Sequence, residues 1–215
     1  MVQYMKAMLL ARSKEVRDDG SIVEVVIREL PEPLSPSVHS YKYRLFYGTP
    51  AEERVRYDNE RGKGDHRHCG GKEEGYAFCH PRSTARRLRK RPTRLEHDMK
   101  AIIEVAKAGS AVRAARQQLA ASRGGEAVDF RLSFESARSL FADLTPARVD
   151  LLDTLRRVGP CSVYALSKAA GRNYSNVHTD VARLEVLGLV ERTDEGSVSV
   201  PYEAVEILVP LAQAA

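Results

Sequence analysis

The chain has 215 residues and a formal net charge of +5, which is enough length for two small domains that each bury a modest core. No stretch of about eighteen apolar residues occurs, and residues 1–10 are too short for the apolar region of a signal peptide. We therefore expect a cytoplasmic protein that does not enter a membrane. The three cysteines are scattered, which argues for reduced thiols rather than a disulfide framework.

The excess of positive charge is concentrated in the N-terminal half. Residues 1–98 contain 20 Lys and Arg against 15 Asp and Glu, whereas residues 99–215 contain 14 of each kind. A basic N-terminal half suits a polyanionic partner, although the bias is mild.

Residues 1–80 predict a small β-rich domain. After a short opening segment, residues 21–30 are rich in β-branched side chains and indicate a strand. Three more segments predict strands, and glycine-containing turns separate them. These segments are residues 42–47, 54–59 and 76–78.

Residues 81–98 differ from what precedes them. They are strongly basic, contain Pro92 and carry almost no large apolar side chains, so they are interpreted as a linker or an altered, poorly packed tail. The basic run at 86–91 is expected to be solvated. Its alternative role is a non-specific, salt-dependent attraction for phosphates.

The pattern of residues 99–144 predicts both strands and helices. We expect this segment to supply a partner-binding or dimerisation surface. Residues 99–105 fit either a strand or the start of a helix, and residues 130–134 fit a strand. Helices are predicted at 112–121 and 136–144.

Residues 145–209 have the pattern of a winged helix-turn-helix. Three amphipathic segments predict helices, with breaks at Gly159-Pro160 and Gly171 and a cap at Gly188. Two short strands then form the wing. The helices are predicted at 146–158, 163–170 and 175–187, and the wing strands at 189–192 and 197–200. The whole chain is therefore α+β: a small antiparallel β-rich N-terminal domain, then a C-terminal winged helix-turn-helix with an α/β N-terminal extension.

The third helix of this unit has a polar face suited to duplex DNA. Asn favours adenine and Arg favours guanine in the major groove, and other polar groups can reach phosphates. Because one winged helix reads only a short half-site, we expect a homodimer on an operator. A winged helix used for protein contacts is the alternative. The predicted DNA-binding residues are Arg172, Asn173, Tyr174, Ser175, Asn176, His178, Thr179, Arg183 and, in the wing, Arg192.

Residues 57–68 form a second candidate site, in what we expect to be a strand leading into a glycine-hinged loop. RNA cleavage requires an acid, a base and a cation for the phosphorane charge, and histidine titrates near neutrality. If the segment is extended, His66 and His68 share a face and Arg67 lies opposite. Asp65 or Asp58 could orient an imidazole, and His39 is a candidate to complete the site. The predicted catalytic residues are His66, His68, Asp65, Arg67, Lys63 and Asp58.

Two other interpretations of this segment stay open. It can be a solvated β-turn without a catalytic role. It can also bind zinc through members of the set His66, His68, Cys69, Cys79 and His80. Their spacing lacks the paired C-x2-C of structural zinc sites. No metal or cofactor is therefore assigned, and a chelator is expected to have no effect.

The N-terminal segments resemble the TumE-type toxins, through Ile-Val-Glu-Val-Val-Ile at 22–27, residues 39–45 and the run at 56–68. The C-terminal segments resemble the winged-helix antitoxins encoded beside such toxins. They are residues 144–148, 171–181, 184–190 and 200–203. Met99 begins what reads like an independent protein. The basic residues 81–95 depart from the amphipathic helix that usually ends the toxin.

The two resemblances together imply a toxin–antitoxin fusion. The toxin would be a metal-independent ribonuclease with RNA as its substrate, and the antitoxin would neutralise it, bind operator DNA and autoregulate transcription. The alternative is a non-catalytic winged-helix transcription regulator whose N-terminal β domain senses a ligand or mediates assembly.

Overall fold

The computed structural model describes residues 7–76, 99–123 and 128–211. The proposed linker at 81–98 lies outside these ranges, as do Cys79, His80 and two residues of the strand expected at 76–78. Within the described ranges, no helix combines the length and the apolar character needed to span a membrane.

The N-terminal residues form an antiparallel meander, which confirms the expected β-rich character of this region. It contains three strands at or near the expected positions and three that the sequence did not indicate, namely β1, β5 and β6. Residue 76 follows the last strand rather than starting one. The strands are β1 (Met8–Val16), β2 (Ile22–Glu29), β3 (Tyr41–Gly48), β4 (Glu53–Glu60), β5 (Gly64–Cys69) and β6 (Lys72–Gly75).

The next segment supplies short parallel strands and one helix. The ambiguous residues 99–105 form a strand, because Ala101 and Ile103 alternate into the core and are fully buried. The strand near the C-terminus, at 204–208, was not expected. The elements are β7 (Lys100–Val105), α1 (Ser110–Arg123), β8 (Phe130–Phe134) and, near the C-terminus, β11 (Ala204–Leu208).

The remaining helices and hairpin follow the order expected for a winged helix-turn-helix. They are α2 (Ala137–Asp143), α3 (Pro146–Val158), α4 (Val163–Ala169), α5 (Tyr174–Leu187), β9 (Glu191–Arg192) and β10 (Val198–Ser199). Asn173 caps α5 by accepting a hydrogen bond from the Ser175 amide at 2.9 Å. Gly188 ends α5 with a φ of 80°, which glycine adopts without strain. We call α3 to α5 with this hairpin the helical unit.

Within the described residues, the two halves of the chain share one nine-stranded sheet, in the order β11-β7-β8-β1-β2-β3-β4-β5-β6. The join lies between β1 and β8, which pair in parallel from Ser13↔Arg131 to Val16↔Phe134. The N-terminal meander is therefore an extension of the short parallel sheet formed by the C-terminal half.

Each face of the central strands of the sheet is covered by a different part of the C-terminal half. Helix α1 packs on one face, where Ala115 meets Ala11 and Val25. The helical unit packs on the other face, and its core is continuous with Val16 and Ile22 of the N-terminal strands. Both cores therefore include side chains from the two halves.

Candidate functional site

The histidines of the predicted catalytic segment lie in strand β5, so the expectation of a glycine-hinged loop is wrong. The loop is only the short β4–β5 turn, where Gly62 and Gly64 adopt φ values of 86° and 75°. In the β4–β5 ladder, Asp58 pairs with His66 and Arg56 pairs with His68. Residues two apart on a strand point to the same face. The four side chains consequently form one cluster on one face of the sheet, as expected for His66 and His68.

His66 and Asp58 form the buried part of this cluster. His66 is 3% exposed and Asp58 is 7% exposed. Atom Nε2 of His66 lies 2.8 Å from Oδ1 of Asp58, and Nδ1 lies 3.0 Å from the Gly64 carbonyl oxygen. Asp58 therefore orients the His66 imidazole, which is one of the two arrangements that the sequence left open.

His68 forms the accessible part of the cluster, together with Arg56. The side chain of His68 is 20% exposed, and its Nε2 accepts a hydrogen bond from Arg56 NH2 at 2.9 Å. Arg56 Nε is 3.0 Å from Asp58 Oδ2. Sequence reasoning missed Arg56. Strand periodicity could have found it, because residues 56 and 58 share a face of β4.

Asp65 belongs to a separate cluster on the opposite face. Its Oδ1 accepts a hydrogen bond from the Tyr43 hydroxyl at 2.8 Å and lies 3.0 Å from His39 Nε2. Burial and this hydrogen bond raise the pKa of Tyr43. The expectation that His39 completes the His66–His68 site is therefore wrong, as is a role for Asp65 there. Adjacent residues of a strand point to opposite faces.

The two other predicted catalytic cations form exposed ion pairs with β6. Arg67 NH2 lies 2.7 Å from Glu74, on the face opposite His66. Lys63 Nζ lies 3.2 Å from Glu73, which is the cross-strand partner of His68. Only Lys63 is therefore near the cluster. Cys69 shares the strand periodicity of Arg67 and not that of His68, which removes it from the zinc set considered above.

The first turns of α5 present the predicted DNA-binding residues that carry no formal charge. Their side chains are exposed, and the Tyr174 and His178 rings lie 5.9 Å apart. Thr179 donates a hydrogen bond to the Ser175 carbonyl, within the helix. The exposed set is Asn173, Tyr174, Ser175, Asn176, His178 and Thr179.

The three predicted DNA-binding arginines are all engaged in ion pairs. Arg172 lies 2.6 Å from Asp180. Arg183 binds Asp143 through two hydrogen bonds of 2.7 and 2.6 Å, and Arg192 binds Glu185 through two of 2.7 and 2.9 Å. Residues 146–199 contain seven Lys and Arg against seven Asp and Glu, so their formal charges cancel. The helical unit therefore offers less positive charge to DNA than its arginines suggested.

A carboxylate of the N-terminal half is bound by the start of α1. Glu15 of β1 is fully buried and accepts hydrogen bonds from the Gly109 amide at 3.1 Å, the Ser110 hydroxyl at 3.0 Å and the Ala111 amide at 3.2 Å. An anion is stabilised at a helix N-terminus. Burial opposes ionisation, but the hydrogen bonds from Arg17 and from these groups keep the pKa of Glu15 below its ordinary value.

Two cations of β1 contact the helical unit on the opposite face. Lys14 Nζ donates to the Val186 carbonyl at 2.8 Å, in the last turn of α5, where the helix dipole favours a cation. Arg12 NH1 lies 2.9 Å from Glu191 at the base of the hairpin. Strand β1 thus carries the polar contacts with both α1 and the helical unit.

Comparison with known families finds one similarity in each half of the chain. Residues 6–101 match the family described as Toxin TumE, and residues 143–207 match the family described as HVO_A0114. The toxin match crosses the basic residues 81–98 and ends in β7. No characterised protein and no solved structure is significantly similar to the chain.

Proposed function

We propose that the chain is a toxin–antitoxin fusion in which the TumE-like half is neutralised by the C-terminal half. The observation that carries this proposal is the pairing of β1 with β8, which makes the toxin-like meander part of its partner's sheet. The buried contacts of Glu15 and Lys14 add specific polar recognition to this pairing. Backbone pairing supplemented by such contacts is a recurrent mode of protein recognition.

The toxin would act on RNA through the Arg56–Asp58–His66–His68 cluster. His68 is accessible enough to exchange a proton with a substrate hydroxyl, and Arg56 can stabilise charge on a phosphate. The buried His66 and Asp58 would position these two groups rather than touch the substrate. This assignment alters the sequence-based one, in which His66 was itself a proton carrier.

Neutralisation would act by obstructing one end of the sheet face that carries this cluster. One cross-strand row runs along that face through Lys14, Glu24, Phe46, Arg56 and His68. The row spans four strand spacings of about 4.8 Å, or roughly 19 Å. Since α5 contacts Lys14 at one end of the row, the helical unit would obstruct a polynucleotide that approaches His68 along the sheet.

A test of the toxin assignment compares residues 1–98 with the full chain in an inducible bacterial host. Residues 1–98 should arrest growth, and the full chain should be tolerated at equal expression. Normal growth of cells that accumulate soluble residues 1–98 would instead favour the second candidate, a non-catalytic transcription regulator. The burial of His66 and Asp58 supports that alternative, because a buried cluster can be purely structural.

We further propose that the helical unit is a winged helix that binds operator DNA as a homodimer and represses transcription of its own gene. The support is the uncharged, exposed set at the start of α5. We expect Asn176→Ala to weaken binding to the specific site by about 1–3 kcal/mol, because a bidentate amide contact to a base is lost. Mobility shifts with operator DNA measure this, with Ala182→Ser on the same helix as a control. Equal shifts for Asn176→Ala and the parent would contradict base reading by α5.

Arg183 is expected to contribute to stability rather than to base reading. Arg183→Ala removes a two-hydrogen-bond contact with the mostly buried Asp143, and should lower the free energy of unfolding by about 1–2 kcal/mol. Urea unfolding measures this. The matched control is Arg157→Ala, whose pair with Asp153 is largely exposed and should contribute close to nothing. Equal midpoints for Arg183→Ala and the parent would return Arg183 to the DNA-binding set.

A further inference from the structure

The cluster of Asp58, His66 and His68, in which only His68 is accessible, also has the composition of a metal site. Asp58, His66 and His68 each offer one ligand atom, and these three atoms lie within 4.8 Å of one another. The residues come from two paired strands, which hold their backbones in register. Two imidazoles and a carboxylate form a common ligand set for divalent transition metals.

The two ring nitrogens of His66 have different partners, and Nε2 is the one directed at Asp58. A carbonyl oxygen can only accept a hydrogen bond, so Nδ1 of His66 carries the hydrogen that binds the Gly64 carbonyl. The other ring nitrogen, Nε2, is directed at Oδ1 of Asp58. Among the described residues, neither Nε2 nor Oδ1 makes a hydrogen bond of acceptable geometry, although both atoms are buried. A proton on Nε2 or a metal ion bound by both atoms would satisfy this pair, whose atoms lie 2.8 Å apart.

The contact between His66 and Gly64 is itself typical of a metal ligand. Histidines that bind a metal through one ring nitrogen usually donate the other N–H to a carbonyl or carboxylate, which fixes the ring. Here strand β5 supplies that carbonyl two residues before the histidine. We propose that Asp58, His66 and His68 bind a divalent ion of the zinc class. In the metal-bound state His68 would be a ligand and would not carry the proton that the metal-free cluster assigns to it.

Arg56 is the competitor of this ion. Its Nε is 3.0 Å from Asp58 and its NH2 is 2.9 Å from Nε2 of His68, so it already neutralises part of the ligand charge. Metal binding must displace the guanidinium from His68 or use the other nitrogen of that ring. Removal of the Arg56 charge should therefore increase the affinity for metal. A cluster that uses Arg56 as its permanent counter-ion would not gain a metal in this way.

Cobalt(II) bound to the purified full chain is the probe for this site. We expect saturable visible absorption bands from nitrogen and oxygen ligands. Arg56→Gln should tighten binding at least tenfold, whereas Asp58→Asn and His66→Gln should weaken it by more than tenfold. The matched control His39→Gln, on the opposite face, should bind like the parent. Circular dichroism of each variant confirms that it is folded.

A second measurement on the unaltered chain does not depend on the folding of variants. Bound cobalt should shift the exchangeable imidazole N–H resonance of His66, since Nδ1 keeps its hydrogen. The proposal is overturned if neither the parent nor Arg56→Gln binds cobalt saturably, or if folded Asp58→Asn and His66→Gln bind it like the parent. Because the readout is metal binding and not growth arrest, its failure would leave the toxin proposal untouched.

Discussion

Glu15→Gln in the full chain should lower the free energy of unfolding by about 2–3 kcal/mol. The substitution replaces a buried carboxylate, which accepts two amide hydrogen bonds and one hydroxyl hydrogen bond from residues 109–111, with a neutral amide that cannot accept them all. Denaturant unfolding measures the loss. Glu32→Gln, in the exposed loop after β2, is the control and should unfold like the parent. If Glu15→Gln and the parent were equally stable, the contact between Glu15 and the start of α1 would not contribute to stability.

The pH dependence of this difference follows from the lowered pKa of Glu15. The folded-state pKa is below the ordinary value of 4.5, so the stabilisation is fully present above about pH 4.5 and is lost as the pH falls through the folded-state pKa. The unfolding free energies of Glu15→Gln and the parent should therefore converge on acidification below pH 4.5. A difference that stays constant into that range would show that packing, and not charge, is responsible.

His68→Ala should abolish growth arrest by residues 1–98. His68 is the accessible imidazole of the cluster, and its loss removes the group assigned to proton transfer. His66→Ala should act similarly through loss of positioning, and the double variant should be little worse than either single one, because residues that act as a unit are not additive. Viable cell counts after induction measure the effect.

The matched control for these variants is His39→Ala, which alters a histidine on the opposite face of the same sheet. It should remain toxic. Because His66 lies in a strand and is buried, solubility and circular dichroism must accompany its variant. Full toxicity of folded His68→Ala would exclude the cluster as the source of growth arrest.

The sequence predicted elements best where local pattern and tertiary environment agree. The helix at Pro146–Val158 matches its expected bounds, since its apolar spacing and Gly159 stop act locally. Strand β1 was missed because Glu15 and Lys14 resemble surface residues, although both are buried by partners about a hundred or more residues away. Strand β5 has the sequence pattern of a loop, because its flanking glycines and its charged residues obscure the alternation of buried and exposed side chains.

The candidate site was predictable only in part, for a similar reason. Strand periodicity alone places His66 and His68 on one face. The β4–β5 register determines that Asp58, and not Asp65, faces His66, and that Arg56 joins the cluster. The sequence does not specify this register.

The pairing of Arg183 with Asp143 depends on contact across forty residues, so an arginine that suits DNA by position is instead part of an ion pair.

Neutralisation of the toxin-like half by the C-terminal half is tested most directly by supplying the two halves separately. Cells that produce residues 1–98 should stop growing, and cells that also produce residues 99–215 from a second promoter should grow normally. Glu15→Lys in residues 1–98 should abolish that rescue, because it places a cation against the start of α1. Growth arrest that residues 99–215 do not relieve, with both halves soluble and folded, would contradict the account.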